Sequence, residues 1–136
     1  MIVVATNEVG VMSISVMVVD DAALIRVQLR RALVEAGFEV LDAVDGHDAW
    51  AKIDAGARPS MMICDVNMPR MNGLELLEKL SSAGHMEWLP VLMLTTEGQP
   101  ELIQRAKALG AKGWIIKPFK ADLVVAAARR LAQVGN

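Results

Sequence analysis

The sequence predicts an α/β fold: a doubly wound, five-stranded parallel sheet with helices on both faces. Three observations predict it. Short apolar runs, several of them β-branched, alternate five times with stretches of helical spacing. The runs are apolar nearly throughout, as expected of strands buried on both faces. Glycine or proline marks most junctions, which keeps the connections short.

The run at 14–19 is β-branched and has no helical period, so it reads as a buried strand. Residues 22–36 set Ile25, Leu29, Ala32, Leu33 and Ala36 at helical spacing, and Gly37 supplies the stop. Residues 38–43 form the second strand. A short helix follows over 46–55 and ends at Gly56. The third strand is 60–64. Asn72 is placed to cap a helix reaching 82, with Leu74, Leu77 and Leu80 turned inward. The fourth strand, 90–94, reads PVLML. Pro100 suits the first turn of the next helix, which runs to Gly110. The fifth strand is 112–116. The last helix, 120–133, is expected to pack Leu123, Val124, Ala127 and Leu131.

Composition narrows the function classes. A chain of 136 residues, 54% apolar and 22% charged, suits one folded domain with one core. A formal net charge of −2 gives no general attraction to nucleic acid or to an anionic membrane. No apolar run approaches the roughly 20 residues of a spanning helix. Cys64 is the single cysteine, so no internal disulfide framework is possible, and a reducing, cytoplasmic setting is expected. Residues 1–13 read as an N-terminal extension, with Met12 an alternative start. The array at 14–133 uses nearly all of the chain and leaves no room for an output domain.

Ligands of open α/β sheets bind beyond the carboxyl ends of the strands. The polar residues there are Asp20-Asp21 after the first strand, Asp65 after the third, Thr95-Thr96 after the fourth and Lys117-Pro118 after the fifth. Three acids on one rim repel one another and raise one another's pKa. A hard divalent cation removes that difficulty. Mg²⁺, or Mn²⁺ in its place, takes carboxylate and carbonyl oxygens and leaves positions for phosphate oxygens. Lys117 offers a point charge for an anion, and Thr95 a hydroxyl donor. This set suits phosphoryl transfer, in which catalysis is mostly positioning and charge neutralisation. A carboxylate can itself be the nucleophile in such chemistry.

Taken together, VVDD, CDVNMPRMNG, LTTEG and GWIIKPF resemble the receiver domain of bacterial response regulators, the CheY-like family. The likeness spans about 14–133. The intervals between Asp21, Asp65, Thr95 and Lys117 fit the family register without insertions. The resemblance implies a (βα)5 flavodoxin/CheY-like fold with strand order 2-1-3-4-5. It implies Asp65 as phosphoacceptor. Asp20 and Asp21 would help hold Mg²⁺, with Asp21 the more direct ligand, Asp65 adding an oxygen and Asn67 its backbone carbonyl. Lys117 would pair with the acceptor and then the phosphoryl group, and Thr95 would swing inward to it. The Lys117-Pro118 peptide would be cis. Asn67, Thr96 and Glu97 would tune phosphoryl lifetime, with Thr96 restricting access of water or donor.

Trp114 stands at the family's aromatic switch position, where tyrosine or phenylalanine is commoner. An indole is larger and needs a partner for its N–H when buried. Trp114 is therefore expected to stay partly exposed, serve mainly as a partner contact and change little in fluorescence on phosphorylation. A histidine kinase or histidine phosphotransferase would phosphorylate the chain. The fourth helix, fifth strand and fifth helix (about 99–133) would bind a downstream protein, as in a chemotaxis-type regulator. Arg26, Arg30 and Arg31 read as the solvated face of the first helix, with Arg26 a candidate kinase contact. Cys64 and the methionines read as core, Trp50 and Trp88 as packing at element ends, and His47 and His85 as too isolated for a metal site.

Three other readings compete. A phosphate sink without dedicated output shares every motif. An aspartyl-phosphate hydrolase wants a second acid two residues beyond the nucleophile, where Asn67 stands. A nucleotide- or flavin-binding domain wants a Gly-rich loop after the first strand, where the sequence reads DDAALIR.

Overall fold

The computed structural model describes residues 14–132. The expectations for residues 1–13 and 133 lie outside the described residues. Five strands, β1 (Ser15–Val19), β2 (Glu39–Ala43), β3 (Met61–Cys64), β4 (Val91–Thr95) and β5 (Gly113–Ile116), alternate with five helices. The helices are α1 (Ala23–Glu35), α2 (Gly46–Asp54), α3 (Gly73–Ser82), α4 (Pro100–Ala108) and α5 (Ala121–Leu131). All strand pairs are parallel, as the sequence predicts, and the sheet order is β2-β1-β3-β4-β5, as the resemblance implies.

The two-residue period of a strand divides the apolar runs between two cores. Val16, Val18, Met61, Ile63, Leu92 and Leu94 face α1 and α5, where Leu29, Leu33, Val124 and Ala128 meet them. Met17, Val19, Met62, Cys64, Val91 and Met93 face the opposite layer, with Ile53 of α2, Leu77 and Leu80 of α3, and Ala106 of α4. Methionine fills both layers of the sheet, as a flexible thioether can. The first four helices stop where the chain takes a left-handed turn, for example at Gly37 (φ +99°) and Gly110 (φ +109°).

The structure corrects several local expectations. Leu123 is 55% exposed. The inward positions of α5 are Val124 and Ala128, one helical turn apart, and Leu123 lies about 100° around the axis from that line. Thr95 is the last residue of β4 instead of following it, because it pairs with Ile116 of β5. A single 3₁₀ turn, His85–Glu87, precedes β4 and is too short to leave a period in the sequence. The turn closes an aromatic cluster: Trp88 Nε1 donates to His85 Nδ1 at 3.0 Å, and the His85 ring lies edge-on to Trp50.

Candidate functional site

Strand register assembles the site. Val19 of β1 lies beside Cys64 of β3 and Ala43 of β2, and Thr95 of β4 lies beside Ile116 of β5. The ladder continues one step past these ends: Asp65 N donates to Val19 O at 3.0 Å, and Lys117 N to Thr95 O at 2.8 Å. Parallel pairing thus sets Asp20, Asp65, Thr95 and Lys117 on one rim. The Lys117-Pro118 peptide is cis.

Asp20 is buried and Asp21 exposed, yet Asp20, Asp21 and Asp65 each bring one carboxylate oxygen to within 4.8 Å of the others. The Lys117 ammonium donates to Asp20 Oδ2 at 2.7 Å and to Asp65 Oδ2 at 3.3 Å. Its closer partner is therefore Asp20, not the expected acceptor. The remaining oxygen of Asp20 accepts Ala22 N–H at 2.9 Å, and that of Asp65 accepts Val66 N–H at 2.7 Å. Burial pushes the Asp20 carboxyl up, and its hydrogen bonds with Lys117 and Ala22 oppose this without reversing it. Burial pulls the Lys117 ammonium down, but Asp20 and then Asp65 outweigh that, so its pKa is raised.

Among the described residues Lys117 is the cation that pairs with these side chains, on a rim rich in hard oxygen donors. That charge and donor set fit one divalent cation such as Mg²⁺. Among the described residues no histidine or thiol joins the cluster.

A second layer sits at the mouth. Thr95 is fully buried, and its Oγ1 accepts Glu97 N–H at 3.3 Å. Asn67 Nδ2 donates to Glu97 Oε2 at 2.6 Å, bridging the loops after β3 and β4. Trp114 is half-buried and its indole Nε1 donates to Glu97 O at 2.8 Å, so the N–H has its partner. Thr96 points to solvent without entering this network.

Sequence reasoning missed Arg70 altogether and the tie that Arg26 makes to the rim. Arg26 is not a bare solvated residue: its Nη1 donates to Asp20 O at 2.6 Å and ties α1 to the rim. Arg70 donates through Nε to Asp45 Oδ2 at 3.0 Å and also through Nη2 to the same oxygen. The sign available in the sequence was an arginine inside the tight turn PRMNG, with an aspartate at the start of α2. Arg30, on the solvated face, pairs with Asp42 of β2 at 3.1 Å.

Known proteins resemble this chain in sequence and fold. The family model for the response regulator receiver domain matches residues 16–129. The chain is 43% identical over 105 residues to chemotaxis protein CheY1 of Helicobacter pylori, covering 76% of this chain and 84% of that one. It is 39% identical over 105 residues to the CheY homolog of Campylobacter jejuni, covering 76% and 80%. The solved structure of chemotaxis protein CheY4 of Vibrio cholerae superposes with a TM-score of 0.81 at 40% identity, covering 88% of this chain and 99% of that one. With the rim of acids, the lysine and the strand order all in register, the chain belongs to the response regulator receiver domains, in their CheY-like form, and so to two-component signalling.

Proposed function

We propose that Asp65 accepts a phosphoryl group from a phosphohistidine of a kinase or phosphotransferase, and that the charge change is read by a protein partner. The observation that carries this is the position of Asp65 between a cation-poor acidic cluster and the Lys117 ammonium at 3.3 Å. Asp20, Asp21, Asp65 and the Asn67 carbonyl would hold Mg²⁺, which when bound neutralises the rim and charge on the transferring group. One Asp65 carboxylate oxygen attacks phosphorus, a P–O bond forms, the P–N bond to the donor breaks, and the donor imidazole keeps the electron pair. Lys117 then holds a phosphoryl oxygen, and the Thr95 hydroxyl donates to another.

Output is proposed on the face of α4, β5 and α5. A cavity of about 160 Å³ there is lined by Ile103, Ala106 and Trp114, with Lys107 and Lys112 alongside. The phosphoryl group favours one of two states of the loop at Glu97, whose carbonyl accepts the Trp114 indole of β5, so its effect is a population shift. Asn67, Thr96 and Glu97 set how long it lasts.

The test is incubation with a small phosphodonor, with Mg²⁺ or with a chelator, followed by intact mass. One phosphoryl group is expected with Mg²⁺ and none with chelator or in Asp65→Asn. An adduct that survives the Asp65→Asn change would overturn the assignment.

A further inference from the structure

The loop between β3 and α3 is closed at three points. Gly73 N donates to Val66 O at 2.9 Å and Met71 N to Pro69 O at 2.8 Å. Asp65 Oδ1 accepts Val66 N–H at 2.7 Å. The closure is tight enough that a Cβ on Gly73 would lie 2.1 Å from Asp65 O. Two further bonds tie this loop to the start of α2. One is main-chain, Gly46 N to Met71 O at 3.1 Å, and a Cβ on Gly46 would sit 2.5 Å from that oxygen. The other is the Arg70 guanidinium on Asp45.

The Arg70 contact is unlike an ordinary surface ion pair. Asp45 is buried, and its other oxygen, Oδ1, accepts Asp48 N–H at 2.8 Å as the N-cap of α2. Both donors of Arg70 converge on Oδ2 because Oδ1 is committed to the helix. Arg70 itself has φ +67°, a left-handed backbone held by no other non-glycine among the described residues. A side chain in that conformation persists where its surroundings over-determine it.

We infer that Arg70 is a positioning residue for the acceptor loop. Through Asp45 it anchors residues 66–72 to α2, and so fixes the main chain of Asn67 and the start of Asp65. No role for Arg70 follows from the motifs of the rim. The inference rests on the reading of that rim as a cation-dependent acceptor site, but the anchor itself can be tested without metal.

The experiment uses the full chain with Arg70→Gly, Asp45→Asn and the double variant. Arg70→Gly removes the guanidinium and suits the left-handed backbone, so the chain folds. Asp45→Asn keeps an oxygen acceptor for Asp48 N–H. Amide hydrogen exchange without metal is expected to quicken at Gly73 and Gly46 in all three variants and to stay unchanged in β1 and β3. Unchanged exchange at Gly73 and Gly46 would overturn the anchor. Calorimetric titration with Mg²⁺ then reads its consequence. Each single variant is expected to bind about tenfold more weakly, the scale of a lost outer-shell partner, and the double no worse than either single. Charge alone predicts the opposite sign for Arg70→Gly, since removing a nearby cation would tighten Mg²⁺ binding. Equal or tighter binding in Arg70→Gly would overturn the positioning role. If the unaltered chain binds no Mg²⁺ while the exchange result holds, the acceptor reading fails and the anchor stands.

Discussion

Asp65 ends a strand whose four residues are fully buried, and its charge is met by Lys117 at 3.3 Å and two loop amides. Its place on the rim was legible because four short motifs had to converge there, and parallel strands bring their carboxyl ends to the same side. The closer pairing of Lys117 with Asp20 was not legible, because side-chain distances within a rim are set by burial and loop geometry, not by residue spacing. The same holds for Trp114. Its identity showed that an indole N–H would need a partner, but only the fold supplies the Glu97 carbonyl at 2.8 Å. That bond holds the ring half-buried at the mouth. The fluorescence difference between the unaltered chain and Trp114→Phe isolates this indole from Trp50 and Trp88. It is expected to shift little on phosphorylation, and a large blue shift would show that the ring moves inward.

The helices show how local chemistry fixes element ends. Asn72 Oδ1 accepts Glu75 N–H at 2.9 Å, and Glu75 Oε1 accepts Asn72 N–H at 3.0 Å, a complete capping box on α3. Asn72→Ala is expected to lower unfolding stability by about 1 kcal/mol, read by denaturant titration. The cap of α2 behaves differently because Arg70 shares it. The Arg70 hydrogen bond, then that of Asp48 N–H, holds the Asp45 carboxyl below the usual carboxylate range. A depressed folded pKa contributes stability that is present above the unfolded value of about 3.9 and is lost as pH falls through the folded value. The unaltered chain is therefore expected to be more stable than Asp45→Asn near neutrality, with the gap closing in acid. A gap that is constant from pH 7 to pH 3 would contradict the pairing. Asn72 could be read from the sequence as a cap. For the Arg70–Asp45 link the sequence showed the two residues but not their pairing, since they lie on separate loops.

The doubly wound architecture was the most legible level, because periodicity, breaker residues and uniformly apolar strands agree over the whole array. The errors are confined to ends and faces, such as Leu123 and Thr95, where one residue of phase decides inside from outside. The fold contributes two things to function. It gathers an acidic rim at the carboxyl ends of the strands, and the Glu97 carbonyl, in the loop after β4, meets the Trp114 indole of β5 beside that rim. Among the described residues no helix is long and apolar enough to cross a membrane. The most direct measurement is reductive trapping of the acyl phosphate. The chain is treated with Mg²⁺ and a phosphodonor, reduced with borohydride, digested and sequenced by mass spectrometry. Homoserine is predicted at position 65 and at no other aspartate, and only when both Mg²⁺ and donor are present. Homoserine at position 20 or 21, or none at all in a chain that binds Mg²⁺, would contradict the account.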